Sequence, residues 1–416
     1  MPGPEGVGIS TVRGATEEGI ATHHKKLPRS SSPSAIRHWL TDLALVTLIL
    51  AAIGGAWLWW LARPTPARNL VVFVFDTLRA DRMSVYGHSA PTTPFFEQTS
   101  GEFLRFADVK APAPWTVPSH ASMFTGLWPA EHGAQWGKIY LDERYVTLAE
   151  LLRDAGFYNF GYSVNLFLSE ETGLIQGFED FETAKRTRDI LAKLPAALEK
   201  AAASGRRFFL LVNVMDAHIP FNMHRYRKQF EVEKRGPVWA HSIKWRVNAG
   251  TERFDDAMKQ QHRAAYDAAV RYLDDVGRDV VRMLRDHELL DETALVFTSD
   301  HGEGLGWHAE IGHSISAWEE QLDVPLLVRF PHARRGGLVF EPTTTLTAFT
   351  PSALDWLGVP RPAHLRDAPG LEHASRASLS ADYRDYFSEV SRQSNMDLAE
   401  AYPELAKRVT HLHILY

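Results

Sequence analysis

The sequence predicts an α/β fold whose central sheet is mostly parallel, and three observations support this. Short apolar runs without polar interruptions indicate strands that are buried on both faces, as in a sheet covered by helices. These runs alternate with segments in which apolar residues recur every three or four positions, the spacing of one helix face. Aspartate and histidine residues follow several of the predicted strands, at the edge where open α/β sheets bind their ligands.

The composition is that of an ordinary globular protein and excludes several classes of site. The chain has 416 residues, of which 45% are hydrophobic and 23% are charged, enough for one large domain or two smaller ones. A net charge of −6 and the lack of a long basic run argue against nucleic-acid binding. Because the sequence contains no cysteine, it predicts no disulfide, no thiolate metal site and no cysteine nucleophile.

The first 62 residues are predicted to form a tail and a membrane anchor. Residues 1–38 are rich in small and polar residues without an apolar period, so we expect them to be disordered. Residues 39–62 are predicted to be a transmembrane helix, because the run from Leu43 to Ala62 carries no charge and is long enough to cross a bilayer. Tryptophans at one end of the run suit a membrane interface. The alternative is a buried core helix.

The predicted anchor implies a location for the rest of the chain. A cleaved signal peptide has a shorter leader and a shorter apolar region, so we expect the span to remain as a single-pass anchor. A small excess of basic residues before the span predicts a cytoplasmic N-terminus and a periplasmic or otherwise extracytoplasmic catalytic domain. Residues 63–68 are a short linker that two prolines keep extended.

Five strands and three helices with an apolar period are predicted beyond the linker. The strands are the apolar runs at residues 70–75, 157–164, 208–214, 294–298 and 325–330. The helices are the periodic segments at residues 147–156, 188–203 and 266–284. Residues 222–252 show no clear period and are predicted to be an irregular insertion that covers a site. The main domain is placed at residues 69–365, and a small C-terminal piece at residues 366–416.

The segment from Ala113 to Gly126 predicts a tight entry into a short helix. Thr116 is a favoured N-cap residue, and Pro118 falls in the first turn, where its missing N–H is not needed. A hydroxyl at this point lies beside unpaired N–H groups and the positive end of the helix dipole, which suit an oxyanion or a phosphate. The alternative is that Thr116 only caps the helix.

Several candidate site residues follow the predicted strands. They are Asp76, Asp216, His218, Asp300 and His301. Because the carboxyl ends of parallel strands converge, two aspartates, one imidazole and the Thr116 hydroxyl can complete a site for a divalent cation. Zn, Mn, Mg and Ca accept such ligands, and the imidazole favours the transition metals. A hydroxyl held on the cation would become a nucleophile, because the cation stabilises the alkoxide.

Three histidines are candidates for a second metal site or for protonating a leaving group. They are His218, His308 and His313, and each is also consistent with an ordinary loop histidine. No site for an organic cofactor is predicted.

Five segments of the chain carry a resemblance to the sulfatase family of the alkaline phosphatase superfamily. They read DTLRAD from residue 76, APWTVPSHAS from 113, TLAELLRDAG from 147, TSDHGE from 298 and EEQLDVPL from 319. The resemblance runs from about residue 69 to about residue 360. It implies a large mixed sheet between helices, a smaller C-terminal subdomain and a metal-assisted ester hydrolase or transferase. It also implies Asp76, Asp300 and His301 as metal ligands, with Thr116 at the nucleophile position.

The sequence departs from the family pattern at five positions. Sulfatases carry a Cys or Ser that is oxidised to formylglycine where this chain has Thr116, and threonine cannot give that aldehyde because its Cβ carries a methyl group. His120 replaces an arginine, Thr77 replaces a second metal-binding aspartate, and Asn165 and His313 stand near the positions of two lysines. The pattern is more similar to the threonine-nucleophile branches, the phosphodiesterases and membrane phosphoethanolamine transferases, in which a phosphothreonine forms.

Three hypotheses of function are open at this point. The first is a membrane-anchored, metal-dependent enzyme for phosphate or sulfate esters of lipids or glycans, with phosphoesters favoured. Thr116 attacks, His218 and His313 bind ester oxygens or assist the leaving group, and His120 is a further catalytic candidate. The second is a true sulfatase without formylglycine that uses Thr116 or Ser119. The third is a non-catalytic family member that binds anionic glycans or lipid headgroups.

Overall fold

The computed structural model describes residues 42–43, 45–54, 66–222, 225–233, 236–314 and 316–373. The chain divides into two units, Met1–Arg63 and Pro64–Tyr416. In the first unit, residues 45–54 are helical, and their apolar side chains are largely exposed, with Leu48 at 67%. Among the described residues, no helix is both long and apolar enough to cross a membrane. The predicted tail and half of the predicted anchor, including residues 55–62, lie outside the described residues.

The second unit is built on a mixed sheet of eight strands. The strands of this unit are β1 Asn69–Phe75, β2 Leu104–Phe106, β3 Val109–Lys110, β4 Tyr158–Ser163, β5 Asp180–Thr183, β6 Phe208–Val214, β7 Thr293–Thr298, β8 Gly304–Leu305, β9 Ile311–Gly312, β10 Leu326–Arg329, β11 Val339–Phe340 and β12 Thr344–Thr345. The sheet order is β11-β2-β10-β7-β1-β6-β4-β5, and β3–β12 and β8–β9 form separate pairs. From β7 to β5 all neighbours are parallel, whereas β10 is antiparallel to β7 and β2.

The residues of β1 alternate between two apolar cores, one on each face of the sheet. Odd-numbered residues from Val71 to Phe75 lie in the first core, and even-numbered residues from Leu70 to Val74 lie in the second. Every residue of β1 is buried, because successive side chains of a strand point to opposite faces and both faces are covered. This double burial is the reason for the unbroken apolar run that ends at Asp76.

Helices cover both faces of the sheet. The α-helices of the second unit are α1 Pro94–Gln98, α2 Thr116–Thr125, α3 Pro129–His132, α4 Leu148–Asp154, α5 Thr187–Ala203, α6 Gly236–Asn248, α7 Asp256–Asp286, α8 Glu319–Leu322 and α9 Phe349–Leu357. The buried stripes of α5 and α7 belong to the first core, and those of α2, α4 and α9 belong to the second. The predicted α/β fold with a mostly parallel sheet between helices is therefore confirmed.

The predicted elements match the structure where the apolar pattern is long. The five predicted strands correspond to β1, β4, β6, β7 and β10, and the three predicted helices to α4, α5 and α7. Helix α7 begins ten residues before the predicted stripe, where the Asp255 carboxylate accepts a hydrogen bond of 2.9 Å from the Met258 N–H. The remaining strands have two to four residues, too few to show a period.

Two local predictions are wrong. Thr116 is the first helical residue of α2 and Trp115, in extended conformation, is its N-cap, so the Thr116 side chain does not cap the helix. Residues 222–252 are not wholly irregular, because they contain α6. The buried residues Ile243 and Val247 are four positions apart, and the charged and aromatic residues between them obscured that spacing in the sequence. Of the predicted C-terminal piece, residues 374–416 lie outside the described residues.

Candidate active site

The structure brings Asp76, Asp300 and His301 together at the carboxyl edge of the sheet. Asp76 directly follows β1, and Asp300 and His301 follow the neighbouring parallel strand β7, with Val74 paired to Thr298. One ligand atom from each of the three residues lies within 4.8 Å of the others. The His301 Nε2 atom is 3.9 Å from Asp76 Oδ1 and 3.4 Å from Asp300 Oδ2. Pairing of two parallel strands in register thus creates the cluster.

Among the described residues, the three facing atoms of this cluster have no hydrogen-bond partner. Asp76 Oδ1, Asp300 Oδ2 and His301 Nε2 are all buried and unpaired. The Gly302 carbonyl oxygen lies 2.9 Å from His301 Nδ1, so this nitrogen carries the proton and Nε2 offers a lone pair. Buried polar atoms are rarely left without a partner, and two carboxylates with a neutral imidazole are a common ligand set. The residues present therefore fit a divalent cation.

Burial sets the protonation of the cluster. It raises the pKa of both Asp76 and Asp300, and the mutual repulsion of the two carboxylates adds to the rise at Asp76. Burial lowers the pKa of His301 to about 4, against the opposing effect of Asp76. A cation among these atoms would lower the pKa of both carboxyl groups again, because it stabilises them in their ionised form.

Thr116 lies beside the cluster, connected to it through Asn165. The Asn165 Nδ2 group donates to Asp76 Oδ2 at 2.7 Å and to the Thr116 Oγ1 atom at 3.2 Å. Thr116 is 4% exposed and starts α2, whose N-terminal N–H groups are the positive end of the helix dipole. Asn165 follows β4, and the sequence marked it only as a departure from the family pattern. Here its amide joins the candidate nucleophile to a candidate ligand.

Ser119 and His120 are fully buried on the first turns of α2. The Ser119 hydroxyl donates a 2.5 Å hydrogen bond to the Asp300 carbonyl oxygen. The His120 Nδ1 atom is 3.0 Å from the Thr116 carbonyl oxygen and 3.4 Å from Asp300 Oδ2. Both side chains therefore connect α2 to the segment that carries Asp300.

His218 and His313 form a second group next to the cluster. The ring centroids of His313 and His301 are 4.5 Å apart, and those of His313 and His218 are 4.9 Å apart. The Glu303 carboxylate accepts from His313 Nδ1 at 3.0 Å and from the Ile219 N–H at 3.3 Å. Burial holds the pKa of His313 well below its usual value. Glu303 was not predicted as a site residue, although its place after β7 in the DHGE segment was the available signal.

The turn after Asp76 is a strained part of the site. Thr77 has a φ of 61°, which a β-branched residue rarely adopts. Its N–H donates to Asp300 Oδ1 at 3.3 Å, and its carbonyl oxygen accepts from the Tyr266 hydroxyl at 2.7 Å. The same hydroxyl accepts from the Arg79 N–H at 2.8 Å. Tyr266, which the sequence placed only on a helix stripe, therefore holds the turn between the two candidate ligands.

Close packing explains one glycine of the site. A Cβ atom on Gly302 would lie 2.1 Å from the carbonyl oxygen of Glu320, so a side chain cannot fit at this position.

Two predicted residues lie away from the cluster. Asp216 is buried, and its carboxylate accepts hydrogen bonds from the Thr187 hydroxyl and from Asn222 Nδ2, the latter at 2.6 Å. His308 stacks on Trp318 with a centroid distance of 3.8 Å and is 43% exposed. Both are therefore explained by local structure.

Lys244 of α6 reaches the histidine group and was not predicted. Gly312, at the end of β9, has a φ of 85°, and a Cβ atom built on it would lie 2.4 Å from Lys244 Nζ. Burial lowers the pKa of Lys244, and the Glu303 carboxylate opposes this shift. The charge of Lys244 in turn helps to lower the pKa of His313. The insertion that the sequence predicted to cover a site thus contributes a cation to it.

Comparison with known proteins agrees with this fold. The sequence model of the Sulfatase family matches residues 68–359. An ulvan-active sulfatase from Formosa agariphila is 21% identical over 67% of this chain and 59% of its own length. The chain thus spans less than two thirds of that relative.

Solved structures of two enzymes have the same fold. The phosphonate monoester hydrolase of Agrobacterium radiobacter is similar with a TM-score of 0.55 and 19% identity, over 74% of this chain and 77% of that one. The phosphoethanolamine transferase EptA from Neisseria meningitidis is similar with a TM-score of 0.53 over 78% of this chain and 65% of that one. The family match covers most of the chain and includes the whole ligand cluster, so this chain is a member of the sulfatase family.

Proposed function

We propose that this protein is a metal-dependent hydrolase or transferase of phosphate or sulfate esters, with Thr116 as its nucleophile and phosphoesters as its preferred substrates. One observation carries the proposal: the Asn165 amide contacts both Thr116 Oγ1 and Asp76 Oδ2, and the other oxygen of that carboxylate is one of the three unpaired ligand atoms. A divalent cation bound by Asp76, Asp300, His301 and Thr116 would supply Lewis-acid chemistry, stabilising an alkoxide and the charge on ester oxygens.

The residues of the chain supply the remaining roles. Thr116 Oγ1 attacks the phosphorus or sulfur atom, and Asn165 orients the hydroxyl. The first N–H groups of α2 face the charge that develops on the ester group. His218 or His313 accepts the proton that the Thr116 hydroxyl releases and passes it to the leaving oxygen, and Glu303 fixes the orientation of His313. Water or a second alcohol then displaces the group from Thr116, which distinguishes a hydrolase from a transferase.

Phosphoesters are favoured over sulfate esters for a chemical reason. Threonine cannot form the aldehyde hydrate on which formylglycine sulfatases depend, whereas a hydroxyl can be phosphorylated directly. The similarity in fold to a phosphonate monoester hydrolase and a phosphoethanolamine transferase supports this choice. Ser119, the alternative nucleophile, is fully buried and its hydroxyl is already bonded to the Asp300 carbonyl oxygen.

The test uses the full chain in detergent, loaded in turn with Zn, Mn, Mg or Ca. The substrates are bis(p-nitrophenyl) phosphate, p-nitrophenyl phosphate and p-nitrophenyl sulfate. We expect turnover of a phosphoester that falls by at least about 10³-fold in Thr116→Ala and survives in Thr116→Ser. Mass spectrometry of a quenched reaction should find the phosphoryl group on Thr116.

Two results would contradict the proposal. Activity that survives in Thr116→Ala and disappears in Ser119→Ala would move the nucleophile to Ser119 and favour a true sulfatase. Binding of these esters without turnover at any of the four metals would favour a non-catalytic protein.

We also propose that residues 43–62 anchor the enzyme to a membrane with its catalytic domain outside the cytoplasm. The support is the uncharged apolar run and the small excess of basic residues before it. In a protease-protection assay on spheroplasts, the domain should be digested from outside. Protection on the cytoplasmic side would refute this orientation.

A further inference from the structure

Exposed apolar side chains of the second unit are concentrated on two loops. Among its described residues, eight large apolar side chains are exposed to solvent. Single exposed apolar side chains are common on protein surfaces, whereas several in one place mark a binding surface. Four of the eight lie on the loops that follow α3 and β4, namely Ile139 at 48%, Tyr140 at 46%, Leu166 at 80% and Phe167 at 42%.

Backbone and ring contacts bring the two loops together. The Leu141 N–H donates to the Thr172 carbonyl oxygen at 2.8 Å, and the Thr172 hydroxyl donates to the Phe167 carbonyl oxygen at 2.5 Å. The Trp115 ring stacks on the Trp136 ring with centroids 4.7 Å apart, and it meets the Phe167 ring edge to face at 6.4 Å. The four exposed side chains therefore belong to one apolar patch, which the two tryptophan rings support.

The apolar patch begins beside the candidate nucleophile. Trp115 directly precedes Thr116, and the Asn165 Nδ2 group donates to Thr116 Oγ1 at 3.2 Å. The Asn165 Oδ1 atom accepts from the Phe167 N–H at 2.9 Å, so one amide side chain ties the loop after β4 to the nucleophile. The organic substituent of an ester held at Thr116 is therefore within reach of the patch.

The side chains of the patch favour one chemistry for that substituent. Leu166 and Ile139 carry no hydrogen-bonding group, so the hydroxyl groups of a sugar laid against them would lose water without gaining a partner. An alkyl or acyl chain loses no hydrogen bond there, and its contact removes apolar surface of both partners from water. Of the lipid and glycan esters that the sequence left open, the patch favours the lipid esters.

We propose that the apolar patch binds an alkyl or acyl chain of the ester that Thr116 attacks, so that the substrates are lipid-like phosphoesters. This inference rests on the proposed function, because it assumes that an ester is held at Thr116. The patch supplies affinity and specificity, whereas the chemistry belongs to the residues around the ligand cluster. Each methylene that lies on the patch should improve binding about twofold, since only one side of the chain is covered and complete burial gives about fourfold.

Alkylphosphonates test the patch without turnover, because they contain no ester bond. The full, metal-loaded chain in detergent is titrated with methylphosphonate and with hexylphosphonate, and the ratio of the two Kd values is measured. Five additional methylenes at about twofold each predict a ratio of about 30 for the wild type. With Leu166→Ser and Ile139→Ser combined, one change on each loop, the ratio should fall to about 3. Both proteins are measured in the same detergent, so partition of the ligand into micelles cancels in the comparison.

The control is an exposed leucine far from the patch. Leu338 is 53% exposed and directly precedes β11, which lies at the other side of the sheet from β4. Leu338→Ser should therefore keep the wild-type ratio. A wild-type ratio below about 3 would overturn the proposal, and so would an equal ratio in the wild type and the double variant or an equal fall in the control.

Ester turnover separates this proposal from the proposed function. Methyl p-nitrophenyl phosphate and hexyl p-nitrophenyl phosphate share their leaving group, and the wild type should have a kcat/KM about 30-fold higher for the hexyl ester, mainly through KM. Full activity in Thr116→Ala would refute the nucleophile, and the phosphonate ratios would still decide the role of the patch. Turnover that requires Thr116 but has the same kcat/KM for both esters would refute the role of the patch alone.

Discussion

Replacement of Tyr266 by phenylalanine should destabilise the protein and loosen the ligand cluster together. The hydroxyl donates to the Thr77 carbonyl oxygen at 2.7 Å and accepts from the Arg79 N–H at 2.8 Å, and all three residues are buried. The variant removes one oxygen atom and leaves two buried backbone groups unpaired, each at a cost of about 1–3 kcal/mol. We therefore expect a loss of about 3 kcal/mol in unfolding free energy.

The same change should weaken metal binding. Thr77 is held at a positive φ that costs about 1–3 kcal/mol, so loss of the Tyr266 contact allows the turn to relax. The Thr77 N–H would then move away from Asp300 Oδ1, which it contacts at 3.3 Å. Metal affinity should fall about 10-fold, the usual scale for loss of a group that orients a ligand.

Urea denaturation measures the first effect. With a slope of about 3 kcal/mol/M, the midpoint should shift by about 1 M. Tyr272→Phe is the control, because Tyr272 lies on the same helix and, among the described residues, its hydroxyl makes no hydrogen bond; it should shift the midpoint little. A Tyr266→Phe protein with the same midpoint and the same metal affinity as the wild type would refute the reasoning.

Three further changes test other parts of the site. Asp300→Asn should abolish metal binding and activity, as measured by metal analysis and ester turnover. The control Asp216→Asn should leave the bound metal unchanged. Equal metal content in both variants would contradict the assignment of Asp300 as a metal ligand. Glu303→Gln removes the carboxylate that accepts the 3.0 Å hydrogen bond from His313 Nδ1. The kcat should therefore fall about 10-fold at unchanged metal content. An unchanged kcat would exclude a role for this contact. His132 is fully buried, and burial lowers its pKa from 6.5 to about 3. Between about pH 6.5 and about pH 3 the unfolded state therefore binds more protons than the folded state. The free energy of unfolding is accordingly lost as the pH falls below about 6.5. Between pH 8 and pH 5 the wild type should therefore lose about 1–2 kcal/mol more unfolding free energy than His132→Gln, and equal losses in urea titrations would contradict this account.

The fold was predictable because its central strands are buried on both faces. The burial of every residue in β1, β6 and β7 gives unbroken apolar runs, which few other structures produce. Helix α7 was predictable for a similar reason, since a long helix with one buried face repeats its pattern many times. Short strands such as β8 and β9 have no such pattern. Their pairing depends on the loops that bring them together.

The site was predictable only in part. The candidate ligands Asp76, Asp300 and His301 follow predicted strands, and parallel pairing of β1 with β7 brings them together. Glu303 lies in the TSDHGE segment, yet its partner His313 is ten residues away on another loop, so the contact could not be inferred from spacing. Lys244 lay in a stretch without a period and therefore gave no signal.

The sequence by itself determined the α/β class, the family and the residue types at the strand ends. These features can be recognised in consecutive residues, because buried strands give apolar runs and the family motifs are short. Only the tertiary structure decided which atoms meet. It joined Thr116 to Asp76 through Asn165, held the Thr77 turn with Tyr266 and brought Lys244 to the histidine group. These contacts link residues that are tens to hundreds of positions apart, and packing of the sheet against its helices, not sequence spacing, sets their distances.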